Sequence, residues 1–504
     1  MRISGIPIFA LLLGVFAAAM LGPALFAGLE RDWRTARLFL FSALFVGFCA
    51  AILGQAARRP DRGEASGREE LLTLVGVFAA APAFCAVPIF MILPQLGWSG
   101  ALFEAIASVT TTGATLIEPP ESAPRALHLW RALMGWFGGL ATLVAAAAIL
   151  APRELVDLPG AVPIRVASER AGSALALGPG GGRTLRAVGR ILPLYVALTA
   201  VATFALASPG VQSSFVAFCH AMGLVATSGI SPVSGGLAAQ ESRLAEAAAV
   251  AVLVLVATRL PYGDALGLPR SGPVARVVSA RRDPELKLLL IATAAAAFWL
   301  MATGFAGGAF EGAGDALAAT WGAAATSLSF LTTAGYVSAD WRGAGAWGGG
   351  ASPGLLLIGL ATLGGGVATT AGGVKLFRIY ALYRHGAAEL SRLPHPRSVD
   401  STRTQGGEIA RRAIVNAWVV VMLYMAAFAA SLLGLSAGGL GFNDALAAAA
   451  AALSNVGPLL ALASDADWTD LPPVSRAVAA AAMILGRIEL LAAVALLDPG
   501  NWRR

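Results

Sequence analysis

A short polar string recurs four times along this chain, each time closing an apolar run too short to cross a bilayer. The apolar runs are "SGALFEAIASV", "VQSSFVAFCHAMGLV", "GDALAATWGAAATSLSFL" and "FNDALAAAAAAL"; the strings that close them are "TTTGAT", "ATSGIS", "TTAGYV" and "SNVGPL". Aligned on their glycines, Gly113, Gly229, Gly335 and Gly457 become equivalent, separated by 116, 106 and 122 residues. Such a period predicts one structural unit copied four times. An apolar run of about ten to fifteen residues has the length of a buried or re-entrant piece, short of a span. Non-helical backbone at membrane depth is tolerated only where protein surrounds it or where it lines a water-filled path. Four such loops brought around one axis imply a pore.

Composition supplies the bilayer. Of 504 residues, 57% are hydrophobic and 13% charged, which predicts an all-α polytopic membrane protein. Apolar segments near 7–28, 37–55, 70–93, 126–151, 191–208, 244–261, 286–306, 352–382, 413–435 and 475–497 give ten candidate membrane helices. The first also admits a signal-peptide reading, although its length favours a span. The net charge of +7 does not point to nucleic acid, because of where the charges fall. Segments 152–190, 259–287 and 384–412 each carry six Lys or Arg and three Asp or Glu, marking them as cytoplasmic. Segments 94–124, 209–240, 308–351 and 436–473 together carry ten Asp or Glu and one Arg, and belong outside. An even helix count, with Arg503 and Arg504 at the end, places both termini in the cytoplasm of a cell (inner) membrane protein.

Other chemistries find little support. Cys49, Cys85 and Cys219 lie far apart in apolar segments and read as buried thiols. The four histidines have no acidic or cysteine partner at ligand spacing. No H-E-x-x-H or G-x-S-x-G motif and no paired intramembrane aspartates occur, so the chain does not read as an enzyme. No cofactor is called for.

A ring of loop carbonyls can replace the hydration shell of a small cation, glycine allows the backbone to aim them inward, and threonine adds a hydroxyl at the inner end. Any one "TTGA" reads as an ordinary loop; its fourfold recurrence after apolar half-helices favours a cation pathway. Glu118, Glu121, Asp340, Asp465, Asp467 and Asp470 flank the strings, either concentrating cations at the mouth or forming a solvated rim. Pro119 and Pro120 stop any helix as the chain leaves the first string.

Two further features stand out. Arg487 sits in the apolar run 477–497, where a charge is expensive and faces protein interior or water; Glu489, two residues on, points to another face. The run "GGGVATTAGGVK", 364–375, breaks a long apolar segment with five glycines. It is not a phosphate loop, since no Gly-Lys-Ser/Thr follows and no strand precedes it. A close-packed helix kink is the plainer use of such glycines. Lys375 is one of only two lysines beside 34 arginines.

Several stretches together resemble the Trk, Ktr and HKT superfamily of potassium transporters, most closely the Trk-type membrane subunit. They are "TTTGAT" with "LHLWRALMGWFGGL" and "AAAAILAP", "TTAGY" with "GGGVATTAGGVKLFR", and "SNVGP" with "MILGRIEL". The resemblance covers almost the whole chain and implies four helix–half-helix–loop–helix repeats around a pseudo-fourfold pore, plus two extra N-terminal transmembrane helices. The implied boundaries are 1–69 for the N-terminal pair and 70–160, 161–280, 281–405 and 406–504 for the four repeats, the third containing the broken helix. The implied filter comprises Thr111, Thr112, Gly113, Thr227, Ser228, Gly229, Thr333, Ala334, Gly335, Asn455, Val456 and Gly457. Potassium, the transported ion, would be held at Thr111, Thr112, Thr227, Ser228, Thr333, Ala334, Asn455 and Val456. Glycine at all four filter positions favours potassium over sodium.

The resemblance also implies a gating loop at Gly364, Gly365, Gly366, Gly372, Gly373 and Lys375, with Arg487 as a barrier to cations; the plainer alternative for Arg487 is a structural ion pair with a neighbouring helix. Relatives assemble as homodimers with a cytosolic nucleotide-binding regulatory subunit, here expected as a partner alongside the lipid bilayer. The sequence departs from the family in the helix "EAAAVAVLVLVATRLPYGDAL", which lacks paired small residues, and in "GGLAT" of the first repeat. The competing function is a secondary transporter of sodium or an organic solute. An organic-solute carrier usually shows inverted repeats and charged or aromatic contacts, whereas these four copies run parallel and offer Thr, Ser and Asn.

Overall fold

A computed structural model of the chain describes residues 8–56, 72–73, 75–147, 181–207, 213–240, 242–258, 261–262, 283–310, 312–341, 353–367, 369–394 and 407–488. All regular structure among them is helical. Most of the basic segments, together with Glu489, Arg503 and Arg504, lie outside the described residues.

The N-terminal pair consists of α1 (Ile8–Ala19) with α2 (Leu21–Leu29), and α3 (Trp33–Ala56). The first repeat follows: α4 (Ala81–Ile92) behind a π-turn at Gly76–Ala80, then the short α5 (Gly97–Val109) and α6 (Arg125–Ala145). The second has α7 (Gly181–Leu206), α8 (Ser214–Ala226) and α9 (Arg243–Val256). The third has α10 (Pro284–Ala306), α11 (Ala313–Leu331), α12 (Pro353–Leu363) and α13 (Leu376–Arg392). The fourth has α14 (Gly407–Ala437), α15 (Phe442–Leu453), α16 (Leu459–Ala463) and α17 (Pro473–Ile488).

Five described helices are long and apolar enough to cross a membrane, at 8–29, 33–56, 186–206, 284–306 and 414–437. A sixth span arises if Gly76–Ile92 and Pro94–Val109, bent by 118° at their junction, are taken together. The sequence predicts ten. Of the other four candidates, 126–151, 244–261 and 475–497 run on into residues outside the described ones, and 352–382 is broken at its glycine-rich run. The break in the third-repeat helix is tolerated because protein surrounds it: Gly364, Gly365, Gly366, Thr369 and Thr370 are all buried. The outer helices show the opposite, exposing Phe204, Phe298, Trp299 and Trp418.

Within every repeat the outer helix packs on the short helix, and the short helix packs on the inner one. Between repeats, α6 meets α8, α9 meets α11, α12 meets α15, and α17 returns to α5. The order 1, 2, 3, 4 therefore closes into a ring, with the short helices on its inside. The fourth is mostly alanine, and Ala447–Ala452 are wholly buried, so small side chains let this helix seat deeply. The N-terminal pair packs outside the first repeat through Leu13, Phe39, Phe78 and Trp130.

Candidate functional site

The four short helices end alike. In the first, the Thr111 N–H donates to Ser108 O and the Thr112 N–H to Ala107 O, at 3.0 and 2.8 Å. The same pair of bonds joins Thr227 to Leu224 and Ser228 to Gly223, Thr333 to Phe330 and Ala334 to Ser329, and Asn455 to Ala452 and Val456 to Ala451. This is the Schellman termination, which places one residue in the left-handed region and normally gives that place to glycine. Here it is filled by Thr111 (φ 55°), Thr227 (φ 50°), Thr333 (φ 58°) and Asn455 (φ 57°). A β-branched residue held there costs about 1–3 kcal/mol, and such strain persists only where the surroundings impose it.

The glycine two places further on is left-handed again in three repeats, Gly113 and Gly335 at 73° and Gly229 at 63°. Gly457 departs from the others and has no positive φ. Each glycine lies against the next strand of the ring. A Cβ on Gly113 would strike Ser228 O, and one on Gly229 would lie 2.6 Å from Ala334 O. On Gly335 it would press on Val456 and Pro458 at 3.1 Å, and on Gly457 it would strike Ala114 N. The twelve sequence-predicted residues at these strings thus come together as one ring, closed by the Gly457 N–H on Thr112 O at 2.6 Å. The Asn455 side chain crosses the same seam, donating to Thr112 Oγ1 at 3.0 Å and to Met483 O at 2.9 Å. Four helix C-termini converge on the ring, and their partial negative charge favours a cation there.

Side chains outside the predicted set fasten the strands that leave the ring. Glu104, fully buried in α5, accepts from Thr115 Oγ1 at 2.8 Å and from the Leu116 N–H, and its other oxygen is 3.0 Å from Arg131 Nε. In the second repeat the imidazole of His220 contacts Ser231 Oγ at 3.0 Å and Gln240 at 2.9 Å. Glu246 fastens the third strand, and Trp468 donates to Gly457 O at 2.9 Å in the fourth. The one signal in the sequence was a Glu or His inside an apolar half-helix, at 104 and 220.

The glycine-rich run lies directly under the ring. Its backbone turns back on α12, with Val374 N–H to Thr362 O and Lys375 N–H to Leu363 O, both at 3.0 Å. Gly364 (φ 73°) and Gly373 (φ 76°) make the reversals, and Gly365 packs on Ala371 with room for no Cβ. Gly366 N–H reaches Ala257 O of the second repeat at 3.3 Å. The Val367 N–H reaches Glu285 Oε1 at 3.0 Å. Upward, Thr227 Oγ1 donates to Thr370 Oγ1 at 3.1 Å, the Gly372 N–H donates to Thr333 Oγ1 at 2.7 Å, and Gly372 abuts Ser454 O. Three buried cations cap loop carbonyls: Arg487 on Thr370 O at 2.6 Å, Lys375 on Ala371 O, and Arg378 on Val374 O at 3.3 Å. Lys375 itself has φ 82° at the entry to α13.

The acids of the outer face divide. Glu121 accepts from the Ser234 N–H and Oγ at 2.7 and 2.8 Å, which holds its carboxyl below the usual range, and Asp340 pairs with Arg243 at 3.1 Å. Glu118 is pushed above the usual range, first by burial and then by the charges of Asp467 and Asp470.

Outer spans, four re-entrant helices and a closed ring of their ends define a multi-pass membrane protein of the cation-transporter class. The chain belongs to the TrkH family of cation transport proteins, whose profile matches residues 83–498. It is 29% identical to the Trk system potassium uptake protein TrkH of Salmonella typhimurium and 28% identical to that of Escherichia coli strain K12, covering 98% of each chain in both cases. It is also similar to the crystal structure of the potassium transporter TrkH from Vibrio parahaemolyticus, with a TM-score of 0.81 and 26% identity over 99% of this chain and 98% of that one.

Proposed function

We propose that this protein takes up potassium through the ring of four strings, driven by the membrane potential, which is worth ~2.3 kcal/mol per elementary charge per 100 mV. The observation that carries the reading is the ring itself. Residues 111–112, 227–228, 333–334 and 455–456 sit at four like helix ends, each beside a glycine packed on its neighbour, and in this reading their backbone carbonyls, with the Thr and Ser hydroxyls, are the ion's oxygen ligands. Oxygen ligands held this rigidly suit a weakly hydrated monovalent cation. In this reading the units are the N-terminal pair 1–69 and the repeats 70–160, 161–280, 281–405 and 406–504.

The run 364–375 is the gate in this reading. It blocks the inner end of the pathway, and Arg487 both holds it through Thr370 and adds a positive barrier to cations. Transport involves no covalent chemistry, so the protein is no enzyme. It acts in the cell's inner membrane with both termini in the cytoplasm, as a homodimer working with a cytosolic nucleotide-binding subunit. The termini follow from the helix count and the loop charges read in the sequence, the homodimer and the cytosolic subunit from the family resemblance.

The test is flux of potassium, rubidium and sodium into vesicles holding the purified protein, for wild type and Gly113→Ser. Wild type should favour potassium and rubidium over sodium, and Gly113→Ser should lose most of that preference. Equal potassium and sodium flux in the wild type would remove the potassium assignment.

A further inference from the structure

We propose that Glu246 is a positioning residue for the third filter strand, holding it in register from the neighbouring repeat. The inference rests on the filter reading above. Glu246 stands in the first turn of α9, belongs to the second repeat and is 3% exposed. Its Oε2 accepts from Trp321 Nε1 at 2.9 Å and from Ser338 Oγ at 2.7 Å, while Oε1 accepts from the Ala339 N–H at 2.6 Å. All three partners belong to the third repeat: Trp321 lies on α11, and Ser338 and Ala339 follow Gly335 by three and four residues. One carboxylate therefore pins the supporting helix and the departing strand together, with the glycine between them.

The strand has little other freedom. Ser338 donates its N–H to Thr326 Oγ1 at 3.2 Å, and its Oγ accepts from the Asp340 N–H at 3.2 Å. Tyr336 donates its hydroxyl to Ile230 O of the second repeat at 3.0 Å. With Arg243 of α9 on Asp340 at 3.1 Å, the third filter strand is thus hung from the second repeat at three points.

Comparison with Glu104 shows that the clamp is specific. Both acids accept from a hydroxyl and from the N–H of the next residue, Thr115 with Leu116 and Ser338 with Ala339. Glu104 clamps its own repeat and is paired with Arg131. Glu246 reaches across repeats and forms no ion pair among the described residues, so hydrogen-bond donors alone hold it. At its other end α9 offers Ala257 O to Gly366 N–H, so the rod that sets the third filter also touches the loop beneath.

Replacing the carboxylate by an amide turns an –NH2 toward groups that donate, which breaks the clamp with little change in volume. The experiment compares rubidium and sodium flux into vesicles, per monodisperse folded full-length protein, for wild type, Glu246→Gln, Ser338→Ala, Trp321→Phe and Gly335→Ser. Glu246→Gln should lower the rubidium-to-sodium ratio about tenfold and each single donor loss about threefold, the size expected for charge-assisted hydrogen bonds. Adding Ser338→Ala to Glu246→Gln should lower it no further, because the two act through one contact. A ratio unchanged by Glu246→Gln while Gly335→Ser lowers it overturns the positioning role and leaves the filter standing. A ratio unchanged by both removes the filter reading as well. If Glu246→Gln yields no folded protein, unchanged ratios in both Ser338→Ala and Trp321→Phe overturn the proposal.

Discussion

The ring and the loop beneath it are built on opposite plans. The ring is assembled from four near-copies, and its geometry lies in the backbone: the same two hydrogen bonds end each helix, and the same left-handed residue follows. The loop at 364–375 exists once, and the parts that hold it come from different places, Thr227, Thr333, Glu285 and Arg487 among them. Symmetric coordination calls for a symmetric structure. A gate needs only one element that can move, and a single unrepeated segment can shift without deforming four sites together.

Removing the unrepeated part should have the largest effect. Deleting residues 366–371 is expected to raise rubidium uptake per folded protein at least about tenfold, equivalent to lowering a barrier by about 1.4 kcal/mol. Uptake that stays level or falls would put gating inside the ring and dissolve the contrast. Next comes the ring's own tolerance. Gly229→Ala adds a Cβ 2.6 Å from Ala334 O, whereas Gly308→Ala adds one with no atom within 4 Å at a similar φ of 66°. We expect Gly229→Ala to cost about 2–4 kcal/mol in unfolding measurements and to impair selectivity, against about 1–2 kcal/mol for Gly308→Ala with selectivity intact. Equal losses would mean that backbone angle, not contact between neighbouring strands, sets the ring.

Thr227→Val tests the seam between the two plans by deleting the hydroxyl that donates to Thr370. Loss of one buried hydrogen bond of about 1 kcal/mol should raise flux about fivefold. Unchanged flux would show that the Thr227–Thr370 contact does not hold the loop. The smallest effect concerns the outer mouth. Because burial, Asp467 and Asp470 raise the Glu118 carboxyl, it takes up its proton at higher pH than an ordinary glutamate as the medium is acidified. The half-saturating potassium concentration should therefore rise, by less than about twofold, as external pH falls through that raised range. Glu118→Gln should flatten this dependence, and an unaltered profile would exclude the residue from attracting cations.

The division also explains what could be read in advance. The ring was legible because a repeat writes itself into the sequence, and apolar runs of half-membrane length followed by Thr, Ser, Asn and Gly have few other uses at depth. The five glycines under it were equally visible, since reversals at Gly364 and Gly373 need their freedom. The left-handed threonines were not foreseeable, because threonine ordinarily avoids that region and nothing in its spacing marks it as the end of a helix. The clamps were hidden for a different reason. Glu246 and Ser338 are 92 residues apart and Glu104 and Arg131 lie on separate helices, so no spacing rule joins them.

The seam that closes the ring has a consequence for how the protein is made. The Asn455 contact with Thr112 joins residues 343 positions apart, and α17, the last described helix, packs against α5 of the first repeat. A chain emerging from the ribosome inserts its first half-helix long before the partner for that flank exists. Contacts of such separation form late, after a large loop has been closed. Until residue 457 has been passed, three quarters of a ring stand with polar backbone at an open flank. Birth order thus makes the fourth repeat the lock on the first, and truncation there should leave an insertion intermediate marked for the cell's membrane proteases.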